Sequence, residues 1–250
     1  AKLMRDKYGT KDPASEKLRI FAFTAGSSLT AQQAMNNVVR TSIEMMSAAL
    51  GGIQTMHVSA FDEALGVPSE EAATLALRTQ QVIAFETGVL DSPDPLAGSY
   101  ELERMTDELE REIWDLLAGI EKRGGALECI NNGYFVNEIS ENSYKLTMAI
   151  ESGARKVVGV NAFQSESAPI KPFEINPKSE SEQVAAVQAV RANRDNNIVK
   201  AALENLLAVA KAGDNVVPAT VEAIKAYATV GEIVNELRKV YGKWQPTKTF

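Results

Sequence analysis

The chain has 250 residues but contains only one cysteine and one histidine. Cys129 on its own excludes an intrachain disulfide, and the supply of Cys and His ligands is too small for an ordinary zinc site. A single cysteine is typical of a reducing compartment, so we predict a cytoplasmic location and a buried, apolar environment for Cys129. We also predict that the chain holds no metal ion of its own.

Long apolar runs and an excess of basic residues are missing as well. No apolar run approaches the roughly 20 residues that span a bilayer, and the first residues lack the order of a signal peptide. The formal net charge is −7, and the lysines and arginines are scattered, whereas nucleic-acid surfaces need clustered positive charge. We therefore expect no membrane and no nucleic acid among the partners. The chain opens at Ala1 without an initiator Met, so we expect the natural polypeptide or its partner to begin earlier.

The first half of the sequence alternates apolar runs with helix signals. Residues 21–30 and 52–65 each combine a short apolar run with small polar residues and a following helix signal. This pattern is typical of parallel strands that carry loops to a binding face. A third strand is predicted at residues 97–102. Three strand and helix units in a row indicate parallel strands with right-handed crossovers, and because three strands cannot close a barrel, further strands must come from elsewhere.

Each predicted strand is followed by a predicted helix. The first helix has a capping-box spacing at Thr30 and Gln33 and stops at Gly51, the second begins around Ser69, and the third opens at Thr106. The predicted inward faces are Val39, Ile43, Met46 and Leu50 in the first helix, Ala72, Leu75, Ala76 and Ile83 in the second, and Leu109, Ile113, Leu116 and Ile120 in the third.

From about residue 125 the alternation ends. A short β-like run at residues 156–160 precedes a connector with prolines at residues 165–177, which is the best linker candidate in the chain. Helical periodicity then continues around residues 184–190, 203–210 and 233–240. The residue pattern therefore predicts an α/β half followed by a helical region.

Side chains suited to acid–base catalysis are scarce. His57 lies on an apolar strand, where a histidine is more often a hydrogen-bonded core residue than a base. Asp62 and Glu63 follow the second strand, where barrel enzymes place working groups, although a solvated pair near a helix N terminus fits equally well. Gly26 opens a segment that either presents backbone N–H groups to an anion or only permits a tight turn. A difficult reaction would therefore have to be carried by a cofactor.

Six short motifs make the chain recognisable. They are FTAGSSLTAQ at residues 23–32, NNxxRT at 36–41, GGxQTxH at 51–57, FDEAL at 61–65, DPxxGSY at 94–100 and VGVN at 158–161. Together, over nearly the whole chain, they resemble the large subunit of adenosylcobalamin-dependent acyl-CoA mutases, the methylmalonyl-CoA mutase family. The resemblance implies the last strands and helices of a TIM (β/α)8 barrel at residues 1–125, followed by a mostly helical belt at residues 126–250.

The resemblance also implies a reaction and a site. The family cleaves a cobalt–carbon bond homolytically, abstracts hydrogen with the adenosyl radical, and shifts a carbon group on a CoA thioester. Matched by motif, the cofactor-binding residues are Gly26, Glu63, Gly66 and Phe23, and the substrate-binding residues are Gln54, Thr55 and Phe21. His57 matches a family histidine that we interpret as structural, and no catalytic residue is assigned.

Parts of the family pattern are absent from this chain. The Asp-x-His-x-x-Gly motif that binds cobalt is missing. The resemblance therefore implies two protein partners, the N-terminal half of the barrel subunit and a small cobalamin-binding subunit that brings the cobalt ligand.

Three positions of this chain depart from the family pattern. The family usually has His-x-Gln where this chain has Phe21-Ala22-Phe23, and methylmalonyl-CoA mutases tend to carry an aromatic residue at Ser27. Because residues 21 and 23 share one strand face, two polar side chains have become two aromatic rings. We therefore predict a short branched acyl-CoA substrate rather than methylmalonyl-CoA.

Two alternatives remain beside this reading. A catalytically lapsed homologue that acts as an assembly or regulatory partner is suggested by the two phenylalanines, and a cobalamin titration distinguishes it. An unrelated barrel lyase or aldolase would need a Schiff-base lysine, and no lysine falls in the three predicted strand-end loops.

Overall fold

The structure is a computed structural model that describes residues 1–166, 169–171 and 173–245. The chain divides into two compact units, Ala1–Phe173 and Glu174–Phe250. This division falls within the predicted connector at residues 165–177, of which residues 167, 168 and 172 lie outside the described part. The predicted boundary between a barrel portion and a belt at residues 125 and 126 stays a prediction.

The first unit combines two strands with five α-helices in its described residues. The elements are β1 (Phe21–Phe23), α1 (Asn36–Leu50), β2 (Thr55–His57), α2 (Glu70–Glu86), α3 (Tyr100–Lys122), α4 (Ala126–Asn131) and α5 (Tyr134–Glu151). Short 3-10 turns lie at Pro13–Glu16 and Gly26–Ser28, and a π-helical turn lies at Leu3–Lys7. The unit is thus mostly helical with a small parallel sheet, as a partial α/β domain would be.

The two strands pair in parallel, with Phe21 opposite Thr55 and Phe23 opposite His57. Met56, on the opposite face of β2, packs against the core of the unit. That core joins α1, α2 and the segment that follows β2, and its buried members are Met45, Val58, Ala60, Phe61, Ala72, Ala76 and Ile83. One sheet face is therefore covered by helices, which confirms the first two predicted strands and the inward face of α2.

Helix α1 confirms the predicted helix, but not its start, and confirms the predicted buried face only in part. It begins at Asn36 after Met35, and Thr30 makes no capping bond to it. Val39 and Ile43 are 59% and 62% exposed, whereas the buried residues of α1 are Asn37, Thr41 and Met45. The predicted inward face was wrong for Val39 and Ile43, whereas Met46 does pack against the core. Asn37 is buried instead because its side chain donates to the carbonyl oxygens of Thr30 and Phe61.

The predicted third strand at residues 97–102 is wrong, because helix α3 already begins at Tyr100. Asp94 and Gly98 both adopt positive φ angles, and the backbone N–H of Gly98 donates to Glu103 Oε1 at 3.0 Å. A turn that supplies a carboxylate to a backbone N–H next to a helix start favours the helix over a strand.

The apolar face predicted for α3 is present but uncovered in this chain. Leu109, Ile113 and Leu116 are 58%, 47% and 56% exposed, and no residue of α3 is buried. Cys129 of α4 is fully buried, as predicted.

The second unit is helical throughout its described elements. They are α6 (Ser179–Asn193), α7 (Asn196–Ala212), α8 (Val216–Lys225) and α9 (Val230–Tyr241). Leu206, Ala219, Ala223 and Ile233 form its buried core. Asp195 and Asn215 accept hydrogen bonds at the starts of α7 and α8, and Thr229 forms a capping box with Glu232 at the start of α9. The helices predicted at 184–190, 203–210 and 233–240 are confirmed.

We expect the isolated chain to associate with itself or aggregate. A two-stranded parallel sheet leaves unpaired N–H and C=O groups at both edges, which folded proteins normally cover. Phe21 and Phe23 on its free face are more than half exposed. Analytical ultracentrifugation of the purified chain should therefore detect species larger than a monomer. A single monomeric species over a wide range of concentrations would contradict the expectation.

Candidate functional site

An aromatic cluster occupies the uncovered face of the sheet. The rings of Phe21 and Phe23 meet edge to face with centroids 4.8 Å apart, and the Phe23 and His57 rings are 5.1 Å apart. Phe21 and Phe23 are 56% and 66% exposed, and Thr55 and His57 are exposed beside them. His57 is therefore a member of an open face and not the core residue that its apolar strand suggested.

Polar clamps fix the chain where both strands end. The Thr24 N–H donates to the carbonyl oxygen of His57 at 3.0 Å, and the Ser59 N–H donates to Thr24 Oγ1 at 2.8 Å. The Ser59 hydroxyl in turn donates to the Thr24 carbonyl oxygen at 3.2 Å. Thr24 and Ser59 are both buried. These bonds hold the carboxyl ends of the two strands in a fixed register.

Glu63 lies in the loop that follows β2. Its Oε1 atom accepts a hydrogen bond of 2.6 Å from the backbone N–H of Ala60, and the residue is half-buried. One carboxylate oxygen is therefore tied to the backbone at the edge of the core. The other can interact with a group outside the chain.

Gln54 and Thr55 lie at the opposite, amino end of the strand pair. Gln54 Oε1 accepts from the Ile20 N–H at 2.8 Å, and Gln54 Nε2 donates to the Gly52 carbonyl oxygen at 2.6 Å. Thr55 Oγ1 donates to the Ile20 carbonyl oxygen at 3.3 Å. Both side chains therefore help to anchor the start of β1.

Gly26 and Gly66 share one property. Both are exposed, neither has a positive φ, and a Cβ atom added at either position would meet no other atom within 4 Å. The packing of this chain therefore does not require glycine at either position. A close approach from outside the chain would account for both.

The assigned residues are thus ordered along the strand axis. Phe21, Gln54 and Thr55, predicted to bind substrate, lie at or beside the amino end. Phe23, together with the loops that carry Gly26, Glu63 and Gly66, lies at the carboxyl end. The aromatic rings connect the two groups along one face.

Two residues that support these loops received no role from the sequence. Asn37 is buried, and its Nδ2 atom donates to the carbonyl oxygens of Thr30 and Phe61 at 2.9 and 2.8 Å. Arg40 donates to Asn37 Oδ1 at 2.7 Å and to the Val158 carbonyl oxygen at 2.7 Å. The polar i, i+3 spacing inside the NNxxRT motif was the available signal.

Within residues 1–166, 169–171 and 173–245, no three His, Cys, Asp or Glu side chains lie close enough together to hold a metal ion. In the same part of the chain, no helix has both the length and the apolar character that crossing a membrane takes.

The fold and the site define an α/β protein with a face along parallel strands and polar loops at the strand ends. Residues 1–243 match the family model described as methylmalonyl-CoA mutase. The chain therefore belongs to the methylmalonyl-CoA mutase family.

Curated relatives agree with this assignment. The chain is 42% identical to a 2-hydroxyisobutanoyl-CoA mutase large subunit from Aquincola tertiaricarbonis, over 100% of this chain and 45% of that protein. It is 39% identical to a methylmalonyl-CoA mutase from Cereibacter sphaeroides (95% of this chain and 34% of that protein). It is 38% identical to a methylmalonyl-CoA mutase from Escherichia coli, with the same two shares. The chain thus spans between a third and a half of the length of these relatives.

Proposed function

We propose that this chain is one component of an adenosylcobalamin-dependent acyl-CoA mutase. Its two strands belong to a TIM barrel whose remaining strands come from outside residues 1–250, and a small cobalamin-binding subunit completes the enzyme. A cytoplasmic location, predicted from the single cysteine, is part of the same proposal. The name "large subunit" of the Aquincola relative supports assembly with a second kind of chain.

The observation that carries the proposal is the free aromatic face of the sheet. In a barrel, the face opposite the surrounding helices points inward. Here the helix-covered face includes Met56, and the opposite face carries the exposed Phe21, Phe23 and His57. An inward face lined in this way suits an enclosed apolar substrate.

The residues at the carboxyl end of the strands fit a large bound cofactor. Gly26 and Gly66 leave open space beside the backbone, and Glu63 keeps one carboxylate oxygen available for a hydroxyl group. Adenosylcobalamin would supply the radical chemistry for which this chain has no equipment. The contribution of the chain is to hold Glu63 in place, to exclude water with its aromatic rings, and to orient the thioester.

The apolar character of the exposed sheet face indicates which acyl group the substrate carries. Phe21 and Phe23 offer no hydrogen bond to a free carboxylate, so we propose a short branched acyl-CoA without a second carboxylate. The acyl group in the name of the Aquincola relative also lacks a second carboxylate, which supports this choice.

The function is tested with Glu63→Gln in the enzyme reconstituted from all its chains. We expect the wild type to isomerise a branched acyl-CoA and the variant to lose about tenfold to 100-fold in kcat or in adenosylcobalamin affinity. The thermal midpoint should stay nearly unchanged, because the amide oxygen of the substituted side chain can still accept from the Ala60 N–H. Glu86→Gln, an exposed change at the end of α2, is the matched control and should behave as wild type.

A cobalamin titration of the same reconstituted assembly distinguishes our proposal from a catalytically lapsed homologue. That alternative is favoured by the loss of hydrogen-bonding groups at Phe21 and Phe23. A spectroscopic titration in which the wild-type assembly binds no adenosylcobalamin would support it and contradict our proposal. Wild-type kinetics in Glu63→Gln would instead remove Glu63 from the site.

A further inference from the structure

A buried carboxylate without an assigned role lies directly before Glu63. The Asp62 side chain belongs to a residue that is 1% exposed, and its Oδ2 atom accepts a hydrogen bond of 2.9 Å from the Ser69 N–H. Ser69 is the N-cap of α2, and its hydroxyl oxygen accepts from the Ala72 N–H. The Asp62 carboxylate therefore ties the start of the 62–69 loop to the first turn of a core helix.

The chain passes from the core to the surface at Glu63, directly after the anchored Asp62. The Glu63 N–H donates to the Ala60 carbonyl oxygen at 3.1 Å, and the Leu65 N–H donates to the Asp62 carbonyl oxygen at 2.8 Å. Residues 58–62 are buried, whereas residues 64–67 are exposed. Asp62 is thus the buried anchor immediately next to the Glu63 side chain.

The second carboxylate oxygen argues against a purely structural clamp. Asp62 Oδ1 is buried and has no hydrogen-bond partner among the residues that the structure describes. An unpaired buried carboxylate oxygen destabilises the folded protein. A serine hydroxyl could accept the single bond from Ser69 without burying a charge. Features that cost stability in this way are expected mainly at functional sites.

We propose that Asp62 is a positioning residue for Glu63. Its carboxylate closes the 62–69 loop and thereby holds the Glu63 carboxylate at the carboxyl end of β2, on the cofactor side. Asp62 itself touches neither cofactor nor substrate. The expected kinetic effect rests on the proposed function, whereas the loop closure does not depend on it.

The kinetic test compares two substitutions in the reconstituted enzyme. Asp62→Ala removes the acceptor for Ser69, and we expect kcat to fall at least about tenfold with less than about a threefold change in the KM for the acyl-CoA. Asp62→Asn keeps an oxygen that can accept this bond and should restore most of kcat. Adding Glu63→Gln to Asp62→Ala should lower kcat no further than Glu63→Gln alone, because both remove the same interaction. Additive losses would overturn the inference.

Hydrogen exchange tests the loop closure without turnover. In the assembled Asp62→Ala variant, the amides of residues 63–69 should exchange at least about tenfold faster than in the wild type. The control is Asp195→Ala, which removes the carboxylate that accepts from Asn197 and Ile198 at the start of α7. It should leave loop exchange and kcat unchanged. Unchanged loop exchange in Asp62→Ala overturns the inference. An inactive wild-type assembly overturns the proposed function, and the exchange result then still shows whether Asp62 closes the loop.

Discussion

The reconstituted enzyme is expected to isomerise isobutyryl-CoA with a kcat/KM at least about 100-fold higher than that for methylmalonyl-CoA. Both thioesters are branched, but only methylmalonyl-CoA carries a free carboxylate. Phe21 and Phe23 present aromatic rings where a carboxylate would need hydrogen-bond donors. Burying a charge without partners costs several kcal/mol, and about 1.4 kcal/mol corresponds to each tenfold change in rate. Each product thioester is separated chromatographically from its isomeric substrate and quantified, and the initial rates over a range of substrate concentrations give the ratio of kcat/KM values.

Polar groups restored to the aromatic face should reduce the preference for isobutyryl-CoA over methylmalonyl-CoA. The double substitution Phe21→His and Phe23→Gln places hydrogen-bonding groups on the strand face, so the ratio should fall by about tenfold or more. Phe85→Gln is the matched control, because Phe85 lies on α2 and is 85% exposed. If the wild-type enzyme prefers methylmalonyl-CoA, the argument from the apolar character of this face is wrong. The second carboxylate of the substrate must then be bound by residues of another chain.

The sheet and most helices were predictable because their signals are local. Both short apolar runs form the parallel pair, and α2 begins at Glu70 after the predicted Ser69 cap. Individual helices were not predicted at α4, α5 or α8. In α8, Asn215 caps the helix and Pro218 lies within its first turn. Proline is tolerated there, since the first N–H groups of a helix have no partner within it.

Two errors arose where a regular apolar stripe of a helix is exposed in this structure. Val39 and Ile43 of α1 form a regular stripe, yet the helix buries Asn37 and Thr41 instead. Periodicity identifies a face that is apolar but does not identify what covers it. The same holds for Leu109 in the exposed stripe of α3. Both stripes fit a chain that spans less than half of the length of its relatives.

The candidate site was predictable by position but not by hydrogen bonding. Strand-end position made Gly26 and Glu63 separate candidates, and only the motif resemblance grouped them at a cofactor. The structure places both of their loops at the carboxyl end of the strands. The anchoring bonds of Gln54 depend on residues up to 34 positions away in sequence. The burial of Asp62 next to Ser69 likewise appears only once the loop is closed.

The second unit is expected to lose stability in acid when the Glu232 carboxylate, which pairs with Arg194 and more distantly with Arg191, is protonated. Glu232 receives two hydrogen bonds from the Arg194 guanidinium, at 2.6 and 2.7 Å. The Arg194 guanidinium, with smaller contributions from the N–H and hydroxyl of Thr229, lowers the pKa of Glu232 from 4.5 to about 2. Since the pKa is lower in the folded state, this contribution is fully present above pH 4.5 and is lost as the pH falls toward 2. It amounts to roughly 3 kcal/mol.

Glu232→Gln should therefore lower the free energy of unfolding by about 2 to 3 kcal/mol at pH 7 and by much less at pH 3. The loss is large because the Arg194 side chain is only 7% exposed and would keep its charge with neutral acceptors alone, Asn196 Oδ1 and the Tyr227 carbonyl oxygen. Glu236→Gln is the control on the same helix, since Glu236 pairs with the 56% exposed side chain of Lys239. Glu236 is itself only 18% exposed, but because its partner is a solvated lysine the pair should contribute about 1 kcal/mol or less. Urea denaturation of the full chain by circular dichroism gives the free energies, and hydrogen exchange of α9 assigns the change to the second unit. An equal loss at both pH values would mean that the amide disturbs the capping box with Thr229 and that the carboxylate charge is not responsible.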